Sequence, residues 1–287
     1  FIVTDFGSIL KTTNGGNNWQ KDSFFRPSYT KLSVMYDINT ADSNFINISG
    51  NGGTVITTSN AGLNWTANAG NRKTIKGSYF LNSKTGYASG ELGELLKTTD
   101  GGLSWLDLNE FTTKFLNSVF FINEKTGFAA GDSGAIFKTT DEGNNWTDQT
   151  NYKKYNINCV RFINEESGIV AGGNPESNRA FIYKTDDGGD SWHEVYDSLS
   201  LGVLNSAVFM DGVNGIAVGY NGNALYSYDA GESWTTTNIS PVNLFSINFS
   251  DKLNGLISGA NGLFYKITDG GISWNTVISR SYKNFYS

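Results

Sequence analysis

Every tryptophan of this chain closes the same eight-residue pattern. The seven lie at Trp19, Trp65, Trp105, Trp146, Trp192, Trp234 and Trp274, at intervals of 40–46 residues, and the 287 residues contain no others. One copy, Thr98-Thr99-Asp100-Gly101-Gly102-Leu103-Ser104-Trp105, shows the rule: Thr/Ser, any, Asp/Asn, any, Gly, any, Asn/Ser, Trp. A pattern that returns along a whole chain marks one supersecondary unit copied in tandem, each copy burying its apolar face against its neighbours. The interval is that of one propeller blade per repeat.

The repeat from Leu116 to Gln149 shows the blade in outline. Leu116-Asn117-Ser118-Val119-Phe120-Phe121 is an apolar, β-branched and aromatic run suited to an innermost strand covered on both faces. A second strand is expected at Thr126–Gly131, a turn at Asp132-Ser133-Gly134, a third strand at Ala135–Thr139 and a fourth opening at Trp146. With 34 Gly against 3 Pro and 14% aromatic residues, the composition suits short strands joined by tight turns. The expected fold is all-β: a seven-bladed β-propeller of four-stranded antiparallel blades, forming one domain over residues 1–287.

The first repeat begins at its second strand, Phe1–Thr4, with a third at Ser8–Lys11 and no innermost strand before them. Residues 281–287 follow Trp274 at about the distance at which Leu116 follows Trp105, so they are expected to join residues 1–22 as blade 1 and close the ring. Open sheet edges would otherwise invite pairing with other chains. Small residues in the second strands, as in Gly86-Tyr87-Ala88-Ser89-Gly90, are expected to let neighbouring sheets approach. The second repeat, with Phe45-Ile46-Asn47-Ile48-Ser49-Gly50 and two extra residues, is expected to carry a bulge.

Asp and Asn bond backbone two residues on and fold a turn, and Gly takes positive φ without steric cost. At these residues the chain resembles the Asp-box (BNR) repeat family, whose pattern is S-x-D-x-G-x-T-W. Asp100, Asp141, Asp187, Asp229 and Asp269 keep the acid, Asn14 and Asn60 replace it, and Ile267 breaks the first position of the last copy. With the preceding third strand, as in Gly93 to Thr99, the chain looks most like the photosystem II assembly-factor type of Asp-box propeller, and more distantly like sialidase and xyloglucanase propellers. The resemblance places the boxes in the outer hairpin of each blade, away from sialidase chemistry, and implies a structural role for them.

A net charge of −6 disfavours a nucleic-acid binder, whose affinity comes from neutralising phosphates. No window approaches a membrane span, single Cys159 offers no internal disulfide, and no Cys/His cluster suggests a metal. No cofactor is expected. The abrupt start at Phe1 fits removal of a leader or a module of a larger surface protein, and the resemblance suggests a secreted, periplasmic or cell-surface location.

Candidate contact residues gather in the loops opposite the boxes. The loop after the first box holds Phe24, Phe25, Arg26 and Tyr29; later links hold Arg72, Lys73 and Phe111, then Tyr152, Lys153, Lys154 and Tyr155. Arg179 ends the longest turn between second and third strands, Tyr220 occupies another such turn, and Arg280 lies near the end. Four of five arginines therefore lie in these loops, and Arg and Tyr are the residues that carry interface energy. The expected function is a non-catalytic scaffold that recognises a protein partner. The alternatives are a glycan-binding or glycan-cleaving propeller, although no complete glycosidase constellation is present, and a repeat module of a larger protein. Neither catalytic nor metal residues are assigned, and oligomeric state is left open.

Overall fold

The computed structural model describes residues 1–3, 8–21, 34–69, 73–108, 111–150, 155–278 and 284–285. The chain is a seven-bladed β-propeller: its described strands form seven antiparallel sheets, six with four strands and the first with three. No α-helix occurs among the described residues. Contacts group the chain into two compact units, one comprising Phe1–Ala129 and Lys138–Thr147, the other Ala130–Phe137 and Asp148–Phe285.

The first unit holds three whole sheets. Their strands are Ile2–Val3, Ile9–Lys11 and Gln20–Lys21; Met35–Thr40, Ile46–Gly50, Thr54–Thr58 and Thr66–Ala69; and Ile75–Phe80, Gly86–Gly90, Leu95–Thr98 and Leu106–Asp107. Val3, Ile9, Met35, Ile46, Ile48 and Ile56 form one buried cluster between the first two sheets. The fourth sheet, Leu116–Phe121, Gly127–Gly131, Ile136–Thr139 and Thr147–Asp148, is divided between the units.

The second unit holds the last three sheets: Asn156–Phe162, Gly168–Asn174, Arg179–Thr185 and His193–Ser198; Leu204–Phe209, Gly215–Gly219, Asn223–Ser227 and Thr235–Asn238; and Leu244–Phe249, Gly255–Gly259, Leu263–Ile267 and Asn275–Ile278. Cys159 is buried with Ile169, Ile182, Leu204, Ala207 and Trp234, a small core residue as its strand position implies.

The glycines of the second strands answer to their own sheet. A Cβ on Gly86, Gly127, Gly168 or Gly215 would lie 2.5–2.7 Å from Phe80, Phe121, Phe162 or Phe209, the last residue of the same sheet's innermost strand. Each phenylalanine ring lies over a glycine and meets its own sheet's tryptophan edge-on, with centroids 5.9–6.2 Å apart. For these four glycines the expected approach between sheets is corrected to room for a ring, while Ala88 clusters with Val55, and Ala217 with Ile169 and Ile182, of the neighbouring sheet. Gly77 does serve that approach, since its Cβ would stand 2.9 Å from the Asn117 carbonyl of the next innermost strand.

The bulge expected in the second repeat is likewise not peculiar to it. The innermost strand shifts register between Met35 and Asp37, and also between Ile75 and Gly77, Ile157 and Cys159, Leu204 and Ser206, and Leu244 and Ser246. The extra residue does local work in two sheets, where Asn158 and Asn205 donate side-chain N–H to the Leu204 and Leu244 carbonyls of the next innermost strand.

Residues 281–283 and 286–287 lie outside the described residues, and so does most of the expected closing strand. Asn284 and Phe285 occupy the repeat position that opens an innermost strand. The Asn284 Oδ1 accepts from the Asn261 N–H at 3.2 Å, as Asn156 does from Ser133 and Asn243 from Asn221. Phe285 is buried and stacks on Phe264.

The Asp-box turns are self-contained. Thr98 Oγ1 donates to Asp100 Oδ1 at 2.8 Å and accepts from the Gly102 N–H; Ser104 donates its N–H and hydroxyl to the same carboxylate at 2.9 and 2.6 Å. Asn14 and Asn60 make the corresponding bonds to Thr12 and Asn18, and to Thr58 and Asn64, with a neutral amide. Turn formation therefore accounts for the acid without a cation. The tryptophans of three boxes, Trp19, Trp146 and Trp234, donate ring N–H to the box glycine carbonyl.

These bonds carry a pH signature. The Ser104 hydroxyl and N–H hold the Asp100 carboxyl down at about 2, and Ser191 does the same for Asp187. Both folded values lie below the unfolded value of about 3.9, so the contribution is complete above about pH 4 and is lost as pH falls through about 2. Urea midpoints measured from pH 5 to 2 should show wild type losing its advantage over Asp100→Asn and Asp187→Asn across that window. A constant difference would contradict the assignment.

Candidate functional site

Antiparallel strand order gives every sheet two distinct ends. Turns between strands one and two, and the boxes between strands three and four, share one end. Turns between strands two and three, with the links to the next sheet, share the other. Of the described candidate contact residues, Lys73, Tyr155, Arg179 and Tyr220 lie at this link end.

Most link-end turns are built alike. Asn51–Gly53, Glu91–Gly93, Asp132–Gly134, Tyr220–Gly222 and Ala260–Gly262 each form a single tight turn whose second and third residues have positive φ. The fifth sheet departs from this plan. Its second and third strands continue beyond Gly172, pairing Gly173 with Ala180 and Asn174 with Arg179, whereas the sixth sheet turns directly after Gly219. The longer hairpin is capped by Asn174, whose Oδ1 accepts from the Glu176 and Ser177 N–H groups.

Arg179 stands at the base of that turn, in the strand and not in the loop. Its guanidinium pairs with Asp197 on the adjacent outer strand, donates to the Tyr155 hydroxyl at 3.4 Å and lies 5.1 Å from the centre of the Tyr155 ring. The hydrogen bond to Asp197 raises the arginine's already high pKa, so the group stays charged. Tyr155 in turn tilts against Phe181. Tyr220 is close by, since a Cβ on Gly202 would lie 2.8 Å from Tyr220 Cβ and the Gly202 N–H donates to the Asn178 carbonyl. Three residues from three separate segments, Tyr155, Arg179 and Tyr220, thus share one region of the second unit.

The other described candidates are engaged elsewhere. Lys73 pairs with Glu94 at 2.9 Å, and Glu94 is fully buried. Phe111 lies 5.6 Å from Trp146 with nearly parallel rings, packing on a box tryptophan of the first unit. Phe24, Phe25, Arg26, Tyr29, Arg72, Tyr152, Lys153, Lys154 and Arg280 lie outside the described residues. Two participants are not among the candidate contact residues: Asp197, in the outer strand His193–Ser198, and Glu94. Asp197 stands opposite Phe181, two residues along the third strand from Arg179, which sets the two side chains diagonally across the pair.

Among the described residues no group of three or more His, Cys, Asp or Glu is placed to hold a metal ion. His193 begins the fifth outer strand, half exposed and 3.9 Å from Asp186. Lys184, only 2% exposed, is paired with Asp186 and Glu232. Burial pulls its pKa down, and the two carboxylates outweigh that and raise it.

The model of the photosynthesis system II assembly factor YCF48 family, PSII_BNR, matches residues 71–155 and 104–201. The chain resembles the BNR-type propeller of that assembly factor. Two solved YCF48 structures share its fold. One, described as YCF48 bound to D1 peptide, has a TM-score of 0.71 at 19% identity, covering 89% of this chain and 86% of the other. The second, YCF48 from Cyanidioschyzon merolae, has a TM-score of 0.70 at 18% identity, covering 92% and 90%. A comparison with curated protein sequences returns no match.

Proposed function

We propose that this chain is a non-catalytic, protein-binding assembly factor that holds a partner polypeptide at the link end of its sheets. The observation that carries this reading is the likeness of fold, over 89% of the chain, to a YCF48 structure with a D1 peptide bound. The Tyr155, Arg179 and Tyr220 region supports it chemically. A guanidinium held beside a tyrosine ring presents planar donors and rigid contact area while losing little side-chain freedom on binding. Its pairing with Asp197 preorganises the group. We further assign the chain to an extracytoplasmic compartment, secreted, periplasmic or at the cell surface, which fractionation of source cells would check.

The test uses wild-type chain and the variant Arg26→Ala, Arg72→Ala, Arg179→Ala as baits in source-cell extract. One defined protein should be captured by wild type and depleted at least about tenfold by the triple variant, the equivalent of about 1.4 kcal/mol. Equal capture by both would place the contact away from these loops. Retardation in a polysaccharide gel without protein capture would overturn the reading in favour of a glycan.

A further inference from the structure

The outer strands of the sheets are edges, and they differ greatly in length. Gln20–Lys21, Leu106–Asp107 and Thr147–Asp148 have two residues each; Thr66–Ala69, Thr235–Asn238 and Asn275–Ile278 have four. His193–Ser198 has six, and no described strand lies beyond it in its sheet. Short edges offer too few ladder groups to template another strand, which is how such folds normally protect themselves. A six-residue edge spans about 20 Å and turns outward the N–H and C=O of about three residues.

Charge says what could pair there. From Arg179 to Ser198 the hairpin carries Asp186, Asp187, Asp190, Glu194 and Asp197 against Arg179 and Lys184, leaving it three charges negative. Arg179 and Lys184 are themselves committed to Asp197 and to Asp186 and Glu232. A second copy of this strand would bring like charges face to face, and Val195, skipped in the pairing of Tyr196 with Ile182 and Glu194 with Tyr183, adds twist that further opposes self-pairing. An extended cationic segment avoids the like-charge repulsion. The link end of the edge, Asp197 and Ser198, runs directly into the Tyr155 and Arg179 region.

We infer that the fifth outer strand, His193–Ser198, is a strand-addition site for an extended, Lys- or Arg-rich segment of a protein partner. The backbone ladder supplies affinity and the acidic hairpin selects the sign of charge. The inference rests on the scaffold reading for the nature of its occupant and deepens it by naming the segment's conformation and charge.

The experiment is hydrogen–deuterium exchange of the whole chain with two synthetic probes of about ten residues, one alternating Thr and Lys, the other alternating Thr and Glu. The Thr/Lys probe should slow exchange at residues 193–198 about tenfold or more, with the effect weakening as salt rises, and the Thr/Glu probe should not. The exposed double variant Asp190→Lys, Glu194→Lys should exchange the two preferences. No protection, protection confined to other residues, or the same preference in the charge-reversed variant would overturn the inference. Partner capture that depends on the arginines without protection of this edge would remove the inference and keep the scaffold reading. Edge protection without any partner capture would do the reverse, leaving a peptide-binding edge.

Discussion

Trp234→Ala is expected to lower stability by about 3–5 kcal/mol, the cost of truncating a buried tryptophan and leaving a cavity. Trp234 is only 8% exposed and is buried together with Ile169 and Ile182 of the fifth sheet and Ala217 and Leu225 of its own. Its ring N–H donates to the Gly231 carbonyl at 3.0 Å and its edge meets Phe209. The residue therefore does two things at once: it closes its own box hairpin and it packs that hairpin against the neighbouring sheet. A loss of this size is a large fraction of the roughly 5–15 kcal/mol that holds a typical domain together. Urea denaturation followed by circular dichroism measures it directly. Trp234→Phe, which keeps a ring and loses the hydrogen bond, should retain much of the difference. A Trp234→Ala midpoint within error of wild type would mean that the box tryptophan is ornamental to the packing.

Gly222→Ala should be the second most damaging change, and Gly52→Ala a mild one, although both residues occupy link-end turns with positive φ. Gly222 has φ 71°, and a Cβ there would stand 1.7 Å from the Ser240 carbonyl oxygen, a backbone atom that cannot swing aside. Gly93 is confined in the same way by the Thr112 carbonyl at 1.9 Å. Left-handed strain alone costs about 1–3 kcal/mol, and the clash adds to it. Gly52 has φ 63° but open space around it, and the corresponding turns place Leu92, Ser133, Asn221 and Asn261 in the same conformation. Its replacement should cost about 1 kcal/mol or less, offset in part by a less flexible unfolded chain. Thermal melts of the two variants side by side make the comparison; equal shifts would show that backbone strain, not the carbonyl, sets the cost.

Legibility in the chain followed the range of the interactions. The box turns were readable because their bonds join residues two and four apart, such as Asp100 to Thr98 and Ser104. Strand boundaries in the fourth repeat fell within a residue of expectation for the same reason: turn residues with fixed chemistry bracket each strand. The misreadings were of longer range. The second-strand glycines looked like spacers between sheets, yet the ring that requires them comes from a strand several residues earlier, and only its register shows which glycine it covers. The innermost-strand bulge was expected once and occurs in at least five sheets, because one extra residue per strand leaves no trace in a repeat when most copies contain it.

The candidate site divided in the same way. That the links lie at the end opposite the boxes was visible from the repeat alone, since the boxes identify one end of each sheet. Which candidate residues meet was not visible. Arg179 reaches Asp197 across 18 residues and Tyr155 across 24, and Tyr220 joins them through Gly202. By itself, the sequence determined the repeat, the turn chemistry and the end of the sheets on which variable residues stand, because those depend on spacing along one chain. Only the tertiary structure decided that the fifth sheet is longer than its neighbours, that its outer strand presents an extended acidic edge, and that Phe111 and Lys73 are spent on packing and pairing. Such outcomes depend on strand register and on contacts between segments distant in the chain, which local spacing does not specify.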